Sequence, residues 1–527
     1  MSPTEQEGMP PAFRVLDTPT FLFLLATLIF LYAFLFIPPF IPIDYHGDGV
    51  VWLSEAKRMY EGEIIYRDFF EFLTPGTPLV YFFLFKLFGP QLWIPGATLL
   101  GLGLGLAGLG VVIAKKLMCS NIALLSGAIF IVGVYKNQLD PSHHWYSLLA
   151  TTSALALLME RRTLARIAGA GLLSGLTACF TQTRGVAVVL GFGAFLWWES
   201  RRTRETGREL LKKLAWLAAG FVATIIVVNA YFIWEAGLPR FVWCTIVYVL
   251  KYGPKMADVN TLLVLRRDFP EFRSLGSFLL RSAGWLLLYV VIPFVYILVF
   301  IRYRRESGNA PREFWDRPML LAIVGSFMLL SVAPAPDYLR MSASALPGVI
   351  LLGWFIDSAR RLRSTLIGAL TLGILLVIPH AVAKSQSMKA SMIVTGHGKL
   401  AEADRDEGSY EEYIWAQQHT RPSEYFYEPA DADMYFSLNL RNPTPLPFVV
   451  NNGFTTVDQV ADVIRGLKQH LVRYILWSRN NGDNLDTIPS WENSGDDHLG
   501  PLRDYVHSHY RVVKVFANSD EIWEKAD

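Results

Sequence analysis

Hydrophobic runs of nearly membrane length recur along most of the chain, separated by polar breaks that alternate in character. Apolar stretches at about 21–42, 92–114, 120–136, 145–159, 167–181, 184–198, 214–234, 280–301, 318–334, 341–358 and 364–381 predict about eleven spans. The breaks holding Lys115–Lys116, Arg161–Arg162–Arg166, Arg201 to Lys213, Arg302–Arg304–Arg305 and Arg360–Arg361–Arg363 fall on one side if successive spans alternate. Short basic loops face the cytoplasm. The N-terminus is therefore expected inside, and the loop after the first span and the C-terminal segment outside. The first run is expected to stay as an anchor: it is too long for a signal-peptide core, lacks a basic lead and meets no small-residue cleavage site. Residues 167–198 begin and end at basic clusters, so they are expected to cross twice. Each half is short for a hydrocarbon core about 30 Å thick, which predicts short helices or a re-entrant pair turning at Thr181-Gln-Thr-Arg-Gly185.

Two regions break the span pattern. After the first run, apolar residues at 52, 53, 56, 59 and 60 follow helical spacing, with Asp48 at the N-cap position and Gly62 at the stop. This predicts a short amphipathic helix lying in the outer interface. A second helix is predicted from Pro75 and Pro78, through Tyr81–Phe85, to Gly89. Beyond about 385 the apolar runs shorten to Phe448–Val450, Tyr474–Trp477 and Val512–Phe516, alternating with helical patterns at Thr456–Leu471 and Leu499–Tyr510. That alternation predicts a small α/β domain. The chain is thus read as a membrane domain over 1–384, with an outer loop at 43–90, and an extracytoplasmic α/β domain over 385–527.

Composition agrees: mean hydropathy is +0.31, apolar residues reach 52% and charged residues 18%, against about 25% charged in soluble domains. No Walker loop or dinucleotide fingerprint occurs, so neither nucleotide use nor a nucleic-acid partner is expected. Cys119, Cys179 and Cys244 are scattered and imply no disulfide framework. Within the expected spans only Arg184 stands clear of an end. Ion-coupled carriers bury carboxylates or histidines at mid-depth, and no internal repeat stands out, so a transporter is disfavoured. The spans read as a scaffold for outer loops.

Those loops carry the candidate chemistry. A carboxylate near the membrane plane can take a proton from an acceptor hydroxyl, and Asp48 is the leading candidate, although a capping role accounts for it equally well locally. A span followed by Asp48-Gly49, then Gly62-Glu-Ile-Ile-Tyr66-Arg67-Asp68, then a Pro78-opened aromatic helix ending in Leu87-Phe88-Gly89, resembles the type C membrane glycosyltransferases. These are enzymes similar to protein O-mannosyltransferases and the lipid A aminoarabinose transferase. The motif matches lie within 48–89, and the spans and outer domain extend the resemblance in outline. It implies a polytopic α-helical type C fold and transfer of a hexose or pentose from a polyprenyl-phosphate donor. The acceptor would be a lipid, glycan or protein, and the reaction one inverting displacement with Asp48 as base. Where the family often shows a second acid this chain has Gly49, so Asp44 or Glu55 would supply it. A bacterial inner membrane is expected from the resemblance, with the endoplasmic reticulum as the lesser alternative.

A departing phosphate needs fixed cationic partners. Arg67, Arg184, Asp337 and Arg340 in Pro336-Asp-Tyr-Leu-Arg340, and the group Lys251, Lys255, Arg266 and Arg267 lie on the outer side. Snorkelling accounts for Arg184 and lipid phosphates for the Lys251–Arg267 group in the plainer reading. Similar enzymes often carry a histidine near Asp140-Pro-Ser-His143-His144, which makes both histidines substrate-contact candidates. Paired histidines without a Cys or carboxylate at ligand spacing predict no metal site of their own. No cofactor is required, while a divalent metal assembled from distant loops stays open. Asp431-Ala-Asp433 reads as an N-cap rather than a metal motif. The competing readings are a lipid-linked glycan transporter, a non-catalytic assembly subunit, and a glycan polymerase or ligase.

Overall fold

The computed structural model describes residues 17–526 apart from 45–46, 256–263, 267, 271, 273–274, 309–310, 360, 388–391, 396–397, 403–406, 480–483 and 488–496. Arg267, the turn expected at 480–483 and the Asp44 side chain lie outside the described residues. Helix α1 (Thr18–Leu35) opens the chain, capped by the Asp17 carboxylate, which also pairs with Lys115 at 2.7 Å. It ends short of the expected boundary. Pro38 and Pro39 cannot continue a helix, and the chain turns there into a hairpin of β1 (Phe36–Ile37) and β2 (Ile41–Asp44).

The bundle continues through α2 (Gly49–Tyr60), α3 (Gly76–Phe88), α4 (Trp93–Ala114) and α5 (Ser120–Ala128). It goes on through α6 (His143–Leu158), α7 (Leu164–Phe180), α8 (Gln182–Thr203), α9 (Gly207–Ala236) and α10 (Leu238–Val242). Helix α11 (Leu275–Leu286) runs on into α12 (Ile292–Glu306), and α13 (Arg312–Val332), α14 (Tyr338–Ser342), α15 (Leu346–Ser358) and α16 (Arg363–Ser387) complete it. Five helical stretches among the described residues are long and apolar enough to cross a membrane: Thr18–Leu35, Trp93–Ala114, Gly207–Ala236, Arg281–Glu306 and Glu313–Val332. Shorter apolar helices stand among them, including α7 and α15. The protein is built as an integral membrane protein.

The stretch 167–198 forms two separate helices meeting at Thr181. Helix α8 is longer than its apolar run. Its 22 residues reach about 33 Å, because the charged end continues it: Glu199 pairs with Arg162 at 2.7 Å and Arg202 with Asp316 at 3.4 Å. Helices α7 and α9 approach through small residues, as membrane helices commonly do. A side chain at Gly171 would collide with the Leu217 carbonyl, and one at Gly220 with the Ala168 carbonyl.

The segment after α16 is built on two sheets. Strands β3 (Met392–Thr395) and β4 (Gly398–Glu402) join the first hairpin, with β4 parallel to β2, in the order β1-β2-β4-β3. The second sheet has the order β5-β6-β8-β7, from β5 (Phe426–Tyr427), β6 (Tyr474–Trp477), β7 (Tyr510–Val515) and β8 (Glu521–Lys525). Helices α17 (Glu407–His419), α18 (Asp433–Ser437), α19 (Val457–Gln469) and α20 (Gly500–His509) accompany it. A reciprocal capping box between Thr456 and Gln459 starts α19.

This segment covers α2. Lys57 donates to the Leu440 carbonyl at 3.0 Å and pairs with Glu61 at 2.8 Å, while Arg441 reaches the same Glu61. Arg58 donates to the Thr444 carbonyl, Phe70 N–H to that of Pro445, and Phe85 stacks on Phe436. Helix α2 therefore does not present a polar face to water, as its amphipathic pattern predicts: Ser54, Glu55 and Lys57 are all buried.

Candidate active site

Two helix N-termini meet at the candidate site. Helix α2 begins at Asp48, whose side chain makes no capping hydrogen bond. The cap comes instead from the loop before α6, where buried Asp140 accepts the Gly49 N–H at 2.8 Å. Glycine is required for this approach. A Cβ at Gly49 would stand 2.5 Å from Asp140 Oδ1 and 2.5 Å from Pro141 Cγ, and one at Gly47 would stand 2.7 Å from the Asp140 carboxyl carbon. Glycine at 47 and 49 thus makes room for the Asp140 carboxylate beside the start of α2. Sequence reasoning missed Asp140. Its only signal there was a carboxylate shortly before the paired histidines.

Helix α6 begins at His143, capped by Ser142, whose Oγ accepts the His144 N–H at 3.3 Å. Both histidines are buried, with ring centroids 3.9 Å apart. Trp52 of α2 meets His143 edge to face at 5.4 Å, and Thr181 Oγ1 lies 2.8 Å from His143 Nδ1. His144 Nδ1 is buried without a hydrogen-bond partner. Asp48 is exposed above them, and one ligand atom each from Asp48, His143 and His144 all lie within 4.8 Å of one another. The carboxylate that sequence spacing withheld from the histidines is brought to them by α2. Two imidazoles and a carboxylate around an open side suit a borderline divalent ion, and the orphaned imidazole nitrogen fits such a set.

Arg184 lies directly behind the histidines, 1% exposed. Its Nη1 donates to the His144 carbonyl at 3.1 Å and to Ser147 Oγ at 2.7 Å, and its Nη2 to the Arg340 carbonyl and Ser344 Oγ. It therefore ties the first turn of α6 to the end of α14, while its Nε stays buried without a partner. Asp337 caps α14 by accepting the Arg340 N–H at 2.8 Å, and its other oxygen pairs with Arg340 Nε at 3.1 Å. Arg340 is half-buried.

The remaining sequence candidates stand apart from these contacts. Arg67 is exposed, pairing with Asp68 at 2.9 Å and with Glu235 at the end of α9 at 2.8 Å. The Arg67 guanidinium beside it holds the Asp68 carboxyl below the usual range. Asp44 ends β2. Glu55 is buried two turns along α2 from Asp48, where it faces Glu71. Burial, then the neighbouring Glu71 carboxylate, pushes its carboxyl well above the usual range.

No protein-family description matches the chain, and no curated protein matches it. Solved structures do. ArnT from Cupriavidus metallidurans, bound to undecaprenyl phosphate, is similar with a TM-score of 0.54 at 14% identity, covering 95% of this chain and 97% of that one. The archaeal oligosaccharyltransferase AglB from Archaeoglobus fulgidus, in complex with an inhibitory peptide and a dolichol-phosphate, is similar with a TM-score of 0.51 at 12% identity. That match covers 95% of this chain and 74% of AglB. Both likenesses run through the bundle and the segment that covers α2, and they show that this chain has the type C glycosyltransferase fold.

Proposed function

We propose that the chain is a membrane glycosyltransferase moving a sugar from a polyprenyl-phosphate donor to a lipid, glycan or protein acceptor at the face that carries α2. The observation that carries this reading is the meeting of Asp48 with His143 and His144 at two helix N-termini, backed by a buried guanidinium. The lipid phosphates bound to ArnT and AglB support the donor class. The basic breaks between spans support an outer, extracytoplasmic site, and we assign the protein to a bacterial inner membrane.

In one displacement the acceptor oxygen attacks the anomeric carbon as that carbon's bond to the phosphate oxygen breaks. Configuration inverts, the bonding pair leaves on the phosphate, and the acceptor proton passes to a carboxylate. Asp48, exposed and not spent on capping, is assigned that proton, with Asp44 the next candidate. Asp140 positions Asp48 through the Gly49 N–H. The N-termini of α2 and α6 favour the developing negative charge. Arg340 receives the phosphate by exchanging Asp337, and Arg184 adds positive charge from behind while fixing the histidines. Arg67 contacts substrate only by exchanging Asp68 and Glu235. Asp48, His143 and His144 would hold a divalent ion, which when bound would supply charge to the departing phosphate. An ion so held would favour the charged carboxylate and weaken Asp48 as a base, so ion and proton compete for Asp48 and the chelation arm of the test decides between them.

The test offers the purified full chain in detergent a panel of polyprenyl-phosphate sugars with cell-envelope lipid, and follows free polyprenyl phosphate. Wild type should release it, and Asp48→Asn should do so at least about 10²-fold more slowly with an unchanged melting temperature. Equal release moves the base to Asp44. Release with the donor alone as acceptor marks a polymerase, and a panel left untouched by wild type overturns the transferase reading. Chelation should stop release and a divalent ion restore it; an unchanged rate removes the ion from the proposal.

A further inference from the structure

The most unusual charge arrangement outside the site is the pair Glu55 and Glu71. Each is 1% exposed. Glu71 Oε1 accepts the N–H groups of Phe72 at 2.7 Å and Leu73 at 2.6 Å. Glu71 Oε2 and both Glu55 oxygens find no donor among the described residues if both groups are ionised. The two carboxyl groups nevertheless lie close enough for each to act on the other. Two buried carboxylates in contact repel and have lost their water, so one must hold a proton. The two backbone donors fix the charge on Glu71. The other titratable groups that act on the pair are Arg58 on α2, Tyr66 on the connecting segment, and Cys244 and Tyr248 beyond α10, with Cys179 on α7 behind Tyr66. Arg58, the one cation in this set, is committed to Glu63, the Thr444 carbonyl and the Phe69 ring.

We propose that Glu55 is a neutral carboxylic acid donating its proton in a hydrogen bond to the Glu71 carboxylate, and that this shared proton clasps α2 to the segment 66–73. Glu55 is then a positioning residue. It holds the helix whose first turn carries Asp48, and it touches no substrate. Burial raises the carboxyl of Glu55 above its unfolded value, about 4.3, so the stabilisation is complete below that pH. It is lost as pH rises through the folded value. The clasp therefore opens on the alkaline side, where a second negative charge enters the buried pair.

Infrared spectroscopy and thermal unfolding of the full chain in detergent test this without any substrate. Wild type at neutral pH should show the carbonyl stretch of a buried protonated carboxylic acid, and Glu55→Gln should lack it. The wild-type melting temperature should fall as pH is raised from about 6 to about 9, and Glu55→Gln should lose that fall, because an amide donates the same hydrogen bond and cannot ionise. If Glu55→Gln does not accumulate, Glu71→Gln decides between the outcomes, since a carboxylate facing an amide needs no shared proton. An acid band unchanged in these variants, or parallel pH curves, overturns the proposal. A further arm rests on the transferase reading: the high-pH limit of donor consumption should move upward in Glu55→Gln. If wild type consumes no donor, that reading fails while the infrared and thermal results still decide the clasp.

Discussion

At the scale of single residues, the site depends on what is small as much as on what is charged. Gly49 lets Asp140 cap α2 from another loop, which leaves the Asp48 carboxylate out of capping. Gly49→Ala forces Asp140 and Pro141 to move, and the strain falls on the loop that leads into His143 and His144. The expected cost is about 1–3 kcal/mol, read as a lower melting temperature, together with slower donor consumption than stability alone explains. A variant as stable and active as wild type would show that the Asp140 cap is dispensable. The N-cap position of Asp48 was legible from helix start signals, whereas the paired histidines were singled out by the resemblance. Their meeting was not legible, because it joins two loops far apart in sequence, and local spacing carries no such information. Asp140 was overlooked for the same reason. A carboxylate caps in any register that geometry allows, and only the Cβ-free neighbours at 47 and 49 betray the approach.

At the scale of elements, apolar runs located the helices well and their ends poorly. Helix α1 stops early because a Pro-Pro pair hands the chain to a hairpin, while α8 runs late because its charged end is held by Arg162 and Asp316. The turn expected at Thr181 is there, between two separate helices, and α7 stays short at 17 residues while the charged end lengthens α8. Helix seams are a separate matter, since glycine in an apolar run reads the same whether it faces lipid or a neighbouring backbone. Gly220 sits against the carbonyl of Ala168, whereas Gly101 of α4 has open space. Gly220→Ala should therefore lower the melting temperature by parting α7 from α9. Gly101→Ala should leave it unchanged or raise it slightly, since alanine favours a helix by up to about 1 kcal/mol over glycine. Equal effects of the two substitutions in a thermal unfolding series would show that the seam is not tight.

At the scale of the whole molecule, the helix bearing Asp48 is held between the bundle and the segment that follows α16. That segment reaches it through the backbone carbonyls of Leu440 and Thr444 and through Arg441 on Glu61 at its end. The amphipathic pattern of α2 could not reveal this cover, because buried Lys57 and Glu55 look identical in sequence to solvated ones. The side of the membrane on which the cover sits decides the chemistry available to it: a lipid-linked donor serves an outer site, whereas soluble nucleotide sugars serve an inner one. The proposed orientation, drawn from the basic breaks, has Lys115–Lys116 inside and residues 385–527 outside. Exposed Cys119, beside those lysines, supplies a native reporter of the lysine-bearing face, while Cys179 and Cys244 are buried. Val513, on the edge strand β7, is 43% exposed and supplies the opposite position. In intact cells a membrane-impermeant thiol reagent should label a Val513→Cys protein and leave wild type unlabelled, and permeabilisation should then bring Cys119 into reach. The reverse pattern would turn the Asp48 site toward the cytoplasm and require a different donor, however well its residues fit the present one.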